Sequence, residues 1–210
     1  MVSARRSGFL ALGFVLFLAA DACADGFIYV PSSRRVRLPQ PVSHFPMKVT
    51  RHRVNIEIDD TIAKTRVEET FTNPNPRQLE GTYIFPLPPN AAVSNFKMKI
   101  GGKDVAGEVL ERDKARSIYE GIVRQAKDPG LLEYIDRGLF RARVFPIPAR
   151  GNVEVTIEYS ETITRTGGLA EYRYPLDTGK YSAGNYENVI IDCSLKSSQA
   201  LRSVYSSSHD

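Results

Sequence analysis

The chain has 210 residues, 42% of them hydrophobic and 25% charged, with a formal net charge of +4. That apolar content supports a packed core and excludes wholesale disorder, and the length suits one ordinary domain with a tail. Two cysteines, Cys23 and Cys193, exclude a scaffold built on disulfides.

The N-terminus reads as a secretory leader over residues 1–24. Arg5 and Arg6 precede the apolar run from Gly8 to Ala20, and Ala22-Cys23-Ala24 forms a small-residue cleavage site before Asp25. The run is shorter than the roughly 20 residues a transmembrane helix needs. Export is therefore expected, to the periplasm, cell surface or extracellular space, with cleavage near Ala24. Membrane attachment is expected only through an uncleaved leader or a lipid on Cys23. The residues before Cys23, Ala20-Asp21-Ala22, suit a lipoprotein signal poorly.

Residues 25–33 form a lead-in, and the proline-rich composition continues to Met47 with Pro31, Pro39, Pro41 and Pro46. Prolines at this density oppose a helix or central strand, so an extended segment with at most an edge strand is predicted. Val49 to Ile58 and Ala63 to Phe71 then alternate in period two and read as an antiparallel hairpin turning at Asp59-Asp60. Asn73-Pro74-Asn75-Pro76 ends it. Gly81 to Phe85 is a further strand. Val93 to Ile100 turns at Gly101-Gly102 into a return strand, Lys103 to Val109.

The period then changes. Ala115, Ile118, Tyr119, Ile122, Val123 and Ala126 fall on one face of a helix spanning about 112–127, stopped by Asp128-Pro129-Gly130. A single helix in a β protein must lay its apolar stripe on a sheet, which places Ile118, Tyr119, Ile122 and Val123 in the core. Leu131 to Ile135 reads as a short strand and Asp136-Arg137-Gly138 as a turn. Phe140, Ala142 and Val144 alternate with Arg141 and Arg143. Phe145-Pro-Ile-Pro148 echoes Phe85-Pro-Leu-Pro88, either as two equivalent strand ends or by chance. Val153 to Tyr159 is the cleanest strand. Tyr172 to Leu176 and Val189 to Leu195 read as strands, Cys193 as a buried small hydrophobe, and the serines from Ser203 to Ser208 as a solvated tail.

Several of these stretches resemble the VIT domain of vault proteins and inter-alpha-trypsin inhibitor heavy chains. The resemblance is carried by Glu69-Thr-Phe-Thr-Asn73, Gly81-Thr-Tyr-Ile-Phe-Pro-Leu-Pro88 and Gly107-Glu-Val-Leu-Glu-Arg-Asp-Lys-Ala115. Val144-Phe-Pro-Ile147 and Val153-Glu-Val-Thr-Ile-Glu-Tyr159 complete it. It covers residues 34–163. It implies an architecture more than a reaction. In such proteins a von Willebrand A domain usually follows. The resemblance therefore implies that residues 164–210 are added strands and a linker toward such a domain, and that the chain is a fragment or a truncated product.

No catalytic, cofactor-binding or metal-ligating set is expected. His44, His52 and His209 have no ligand partner at i+2 or i+4. Asp59-Asp60 and Glu68-Glu69 are neighbours in strand-like sequence, where adjacent side chains point to opposite faces. Asp192-Cys-Ser194-Leu-Lys196 approaches the D-x-S-x-S pattern of a von Willebrand A cation site, but Lys196 puts a cation where a ligand belongs. Basic residues interleave with acids along the strands, which argues against nucleic acid. The expected fold is mainly β, an antiparallel sandwich with one packed helix. The expected function is a non-enzymatic interaction or scaffold module in cell-envelope or extracellular adhesion. An envelope substrate carrier or hydrolase with a pocket under the helix, or an inert fragment, are the alternatives.

Overall fold

The structure is a computed structural model that describes residues 12–17, 26–31, 46–88, 90–105, 108–109, 138–174, 176 and 187–206. Every regular element among them is a strand. The helix expected over 112–127, with its core residues, and the strand expected over 131–135 lie outside the described residues. No helix among the described residues is long and apolar enough to cross a membrane.

The strands are β1 (Leu12–Phe17), β2 (Phe27–Tyr29), β3 (Lys48–Asp59), β4 (Ile62–Thr72), β5 (Leu79–Leu87), β6 (Ala92–Ile100), β7 (Lys103–Val105), β8 (Glu108–Val109), β9 (Gly138–Ile147), β10 (Asn152–Thr162), β11 (Arg165–Thr166), β12 (Leu169–Arg173), β13 (Val189–Lys196) and β14 (Leu201–Ser206). Six of them form one sheet in the order β13-β3-β4-β10-β6-β7, and four form a second, β2-β5-β9-β8. All neighbours in these two sheets are antiparallel except β13, which runs parallel to β3. A third sheet has the order β11-β12-β1-β14.

The first two sheets pack face to face, as period-two strands with one apolar face must. Phe71 meets Tyr83 edge-on at 5.9 Å, Tyr159 meets Phe85 at 5.8 Å, and Phe96 meets Phe140 at 4.6 Å between ring centroids. Each pair joins a strand of the large sheet to one of the small sheet, so these contacts mark the core. β10 lies between β4 and β6, and its inward residues Val153, Val155, Ile157 and Tyr159 are buried. Asn73 clasps the end of the β3–β4 hairpin, its amide donating to the carbonyls of Arg77 and Pro148 at 2.9 Å each. Gly101 and Gly102 turn β6 into β7 with φ of +57° and +78°, a left-handed pair that glycine adopts without strain.

The structure corrects several expectations. The return strand over Lys103–Val109 is divided: β7 pairs with β6 in the large sheet, while β8 pairs with β9 in the small one. Gly138 begins β9 rather than ending a turn. Arg141 lies on the face opposite Phe140, Ala142 and Val144, as the alternation predicts, yet it is buried, in a row with Phe27 and Ile84 that is also out of solvent. Ser203 and Ser206, expected in a solvated tail, lie in a strand, β14, while Ser207 and Ser208 lie outside the described residues. Apart from these corrections, Leu12–Phe17 of the apolar N-terminal run form β1, which pairs in parallel with β12 on one side and β14 on the other. Cys193, expected to be buried, lies on the exposed edge strand β13. The echoing Phe-Pro segments sit on β5 and β9, which are antiparallel neighbours, so they mark opposite ends of one sheet.

Candidate interaction surface

The polar chemistry of the domain divides into a buried part and an exposed part. The buried part begins at the β3–β4 hairpin. The register shifts between Val49 and Arg51, which moves the inward phase of β3 onto the even residues His52, Val54, Ile56 and Ile58. His52 then lies directly opposite Glu69. Their side chains are 0% and 1% exposed, with His52 Nδ1 3.3 Å from Glu69 Oε1. The Tyr83 hydroxyl, from the small sheet, donates to Glu69 Oε2 at 2.7 Å. The Tyr174 hydroxyl lies 3.0 Å from His52 Nε2. At 3.3 Å Nδ1 and Oε1 face each other without meeting hydrogen-bond geometry, while the Tyr174 hydroxyl is placed to donate to Nε2. Close by, the Thr65 and Tyr172 hydroxyls meet at 2.6 Å. Three tyrosines thus reach from other parts of the fold to polar groups on the inner face of the large sheet. The Tyr83 bond offsets part of the cost of burying the Glu69 carboxyl. Burial also pushes the Tyr172 and Tyr159 phenols well above their ordinary range.

Glu161, on the last inward position of β10, has no such support. Its Oε1 is buried without a hydrogen-bond partner among the described residues, and burial raises its carboxyl to about 7. It does not assemble with His or Cys into a ligand set: no group of three metal-ligating side chains occurs among the described residues.

The exposed part is the outer face of the large sheet and the edge beyond it. Arg66 bridges Glu68 at 2.7 Å and Glu158 at 2.8 Å, and Arg53 bridges Asp192 at 2.9 Å. A groove of about 650 Å³ crosses this face, floored by Asn55, Glu57, Lys64, Glu158, Asp192 and Ser194. Asp192 and Ser194 therefore lie together as the D-x-S pattern suggests, but Asp192 is engaged by Arg53. Asp60 turns outward at the hairpin tip, with φ +52°, and accepts the Ser198 N–H at 2.7 Å and its hydroxyl at 2.9 Å. Those bonds hold the Asp60 carboxyl below the usual range. Apolar side chains are exposed mainly on the last two strands: Val189 and Ile190 on β13, and Leu201, Val204 and Tyr205 on β14. Of the histidines, only His52 falls in the described residues. Its pairing with Glu69 is not visible at i+2 or i+4, because the partner lies across the β3–β4 turn.

A family profile, the vault protein inter-alpha-trypsin (VIT) domain, matches residues 49–159, more than half of the chain and most of both sandwich sheets. The chain belongs to the VIT family. Its similarity extends to protein mono-ADP-ribosyltransferase PARP4 of Mus musculus, 29% identical over 65% of this chain and 7% of that protein. The von Willebrand factor A domain-containing protein 5A of Mus musculus is 29% identical over 58% of this chain and 16% of that protein. The inter-alpha-trypsin inhibitor heavy chain H2 of Homo sapiens is 26% identical over 61% of this chain and 14% of that protein. The chain thus spans less than a fifth of the length of these relatives. Seen as a VIT domain, the molecule keeps its polar side chains of greatest chemical potential, His52 and Glu69, as internal fasteners, and turns a mixed-charge sheet face and an apolar edge outward.

Proposed function

We propose that this VIT chain is an exported, non-enzymatic interaction module that holds a protein partner in cell-envelope or extracellular adhesion. The observation that carries the reading is the exposure of Leu201, Val204 and Tyr205 on one strand, β14, whose strand neighbour among the described residues is β1 alone. Apolar side chains concentrated on a strand edge favour a protein surface over a small solute. The buried setting of His52 and Glu69 supports a structural use of the residues best suited to catalysis. The basic residues and apolar run ahead of Ala24 support export. Cleavage there would remove β1, the strand that holds β14 among the described residues, and leave β14 to pair with a strand of the partner.

A von Willebrand A domain is the partner class this reading favours, because relatives matched over this region carry that domain in their names. The test is purification of the native protein from fractionated cells, followed by N-terminal sequencing and identification of co-purifying chains. A product beginning at Asp25, outside the cytoplasm and bound to a von Willebrand A domain through β14, is the expected result. A cytoplasmic product beginning at Met1, or binding unaffected by Val204→Asp with Tyr205→Asp, would overturn it.

A further inference from the structure

We propose that β13 is a self-association edge, through which two copies of this chain join their six-stranded sheets into one continuous sheet. This goes beyond the partner reading above and does not depend on export or on β14.

β13 is the terminal strand of the large sheet, paired on one side to β3. It is eight residues long, and most of its side chains are exposed. Among the described residues no strand pairs with its other edge, whose backbone N–H and C=O groups form the template that a further strand completes. Natural edges are commonly protected by proline, bulges or clustered lysines. β13 has no proline, no register shift against β3 and one lysine, Lys196, at its end. Val189 and Ile190 are exposed on it, and Ile191 and Leu195 are only partly buried against the core.

The sequence of β13 selects its own antiparallel register. A twofold axis perpendicular to the sheet sets each residue opposite one on the same face. Centring the axis on Cys193 pairs Ile191 with Leu195 of the second copy, twice, on the inner face. It pairs Asp192 with Ser194 of the second copy, twice, on the outer face, where the hydroxyl can donate to the carboxylate. Ile190 then lies along the aliphatic stem of Lys196, and Ile190 through Lys196 are all matched. Centring on Asp192 instead would oppose two carboxylates, and centring on Ser194 would shorten the overlap. The preferred register thus matches apolar with apolar and acceptor with donor. So short an edge is a small interface, so the dimer is expected to be concentration-dependent.

The test uses the full chain with Cys23→Ser, which leaves Cys193 as its single thiol. Sedimentation equilibrium should show the mass rising from one copy toward two with concentration, and a short bismaleimide should link Cys193 to Cys193. Ser194→Asp sets like charges opposite each other twice and should weaken dimerisation roughly tenfold. Adding Asp192→Ser to that variant exchanges the pair and should restore it. Ser194 is exposed, and an unchanged melt would verify that Ser194→Asp folds. A single-copy mass at every concentration without crosslinking, or a dimer indifferent to Ser194→Asp, would overturn the proposal.

Discussion

His52 and Glu69 face each other across the β3–β4 hairpin, with Nδ1 and Oε1 3.3 Å apart and both side chains out of solvent. Tyr83 from the opposing sheet closes on the same carboxylate. Glu69 therefore ties two layers of the sandwich together. Replacing it with Leu removes an acceptor from Tyr83 and a partner from His52 at once. Glu69→Leu should lower unfolding free energy by about 3 kcal/mol, and Glu69→Gln, which keeps an acceptor, by less. Urea titration of the three proteins checks the order.

Gly26 is fitted against the same pair. A Cβ there would lie 2.3 Å from both Glu69 Oε2 and the Tyr83 hydroxyl. Gly26→Ala must displace one of them, and overpacking of this kind costs about 1–3 kcal/mol. The effect should be non-additive with Glu69→Leu, because both changes act on one hydrogen bond. A double-mutant cycle measured by thermal unfolding decides this, and strict additivity would separate Gly26 from the network.

Glu161 makes stability depend on pH. Its carboxyl is raised from 4.5 to about 7 in the folded chain by burial. Between those values the folded state holds a proton that the unfolded state has lost, so stability falls as pH rises. The penalty is absent below the unfolded value and complete above about 7. It amounts to about 2–3 kcal/mol, less than the full shift implies because the group is only partly buried. Glu161→Gln should therefore raise the melting temperature at pH 8 and leave it nearly unchanged at pH 4.

Asp60 acts in the opposite sense. Its carboxyl is depressed by the Ser198 N–H and hydroxyl, so the contribution is present above the unfolded value and is lost as pH falls through the folded one. The link joins the β3–β4 tip to the segment between β13 and β14. Asp60→Ala should speed amide hydrogen exchange at Ser198 at neutral pH, and acidification should do the same to the parent. Asp60→Asn, which tolerates the positive φ and retains an acceptor, should show a smaller effect.

Much of the sandwich could be read from local pattern. Val54, Ile56 and Ile58 alternate against charged neighbours, and Gly101-Gly102 calls for the left-handed turn that the structure shows. The His52–Glu69 pair was legible too, in principle. Counting back from the Asp59–Ile62 pair at the hairpin end sets 58 against 63, 54 against 67 and 52 against 69. What hides it is that strand pairing sets the two residues together across a turn, 17 positions apart in sequence rather than at i+2 or i+4. Arg141 and Glu161 were illegible. Arg141 occupies the strand phase opposite Phe140, Ala142 and Val144, where a charged residue normally faces water. Glu161 continues the inward phase of β10 past Tyr159, where a charged residue is not expected. Only the arrangement of the sheets decides that Arg141 is covered and Glu161 partly so.

By itself the sequence determined the β character, the hairpins, the phase of most strands and the family, because side-chain alternation and turn chemistry are local properties. Tertiary structure alone decided which strands became neighbours. It divided the strand after Gly102 between two sheets, set β1 between β12 and β14, and left β13 on an edge with Cys193 exposed. Those outcomes depend on pairing energies between segments far apart in the chain, and no single stretch contains its own partner.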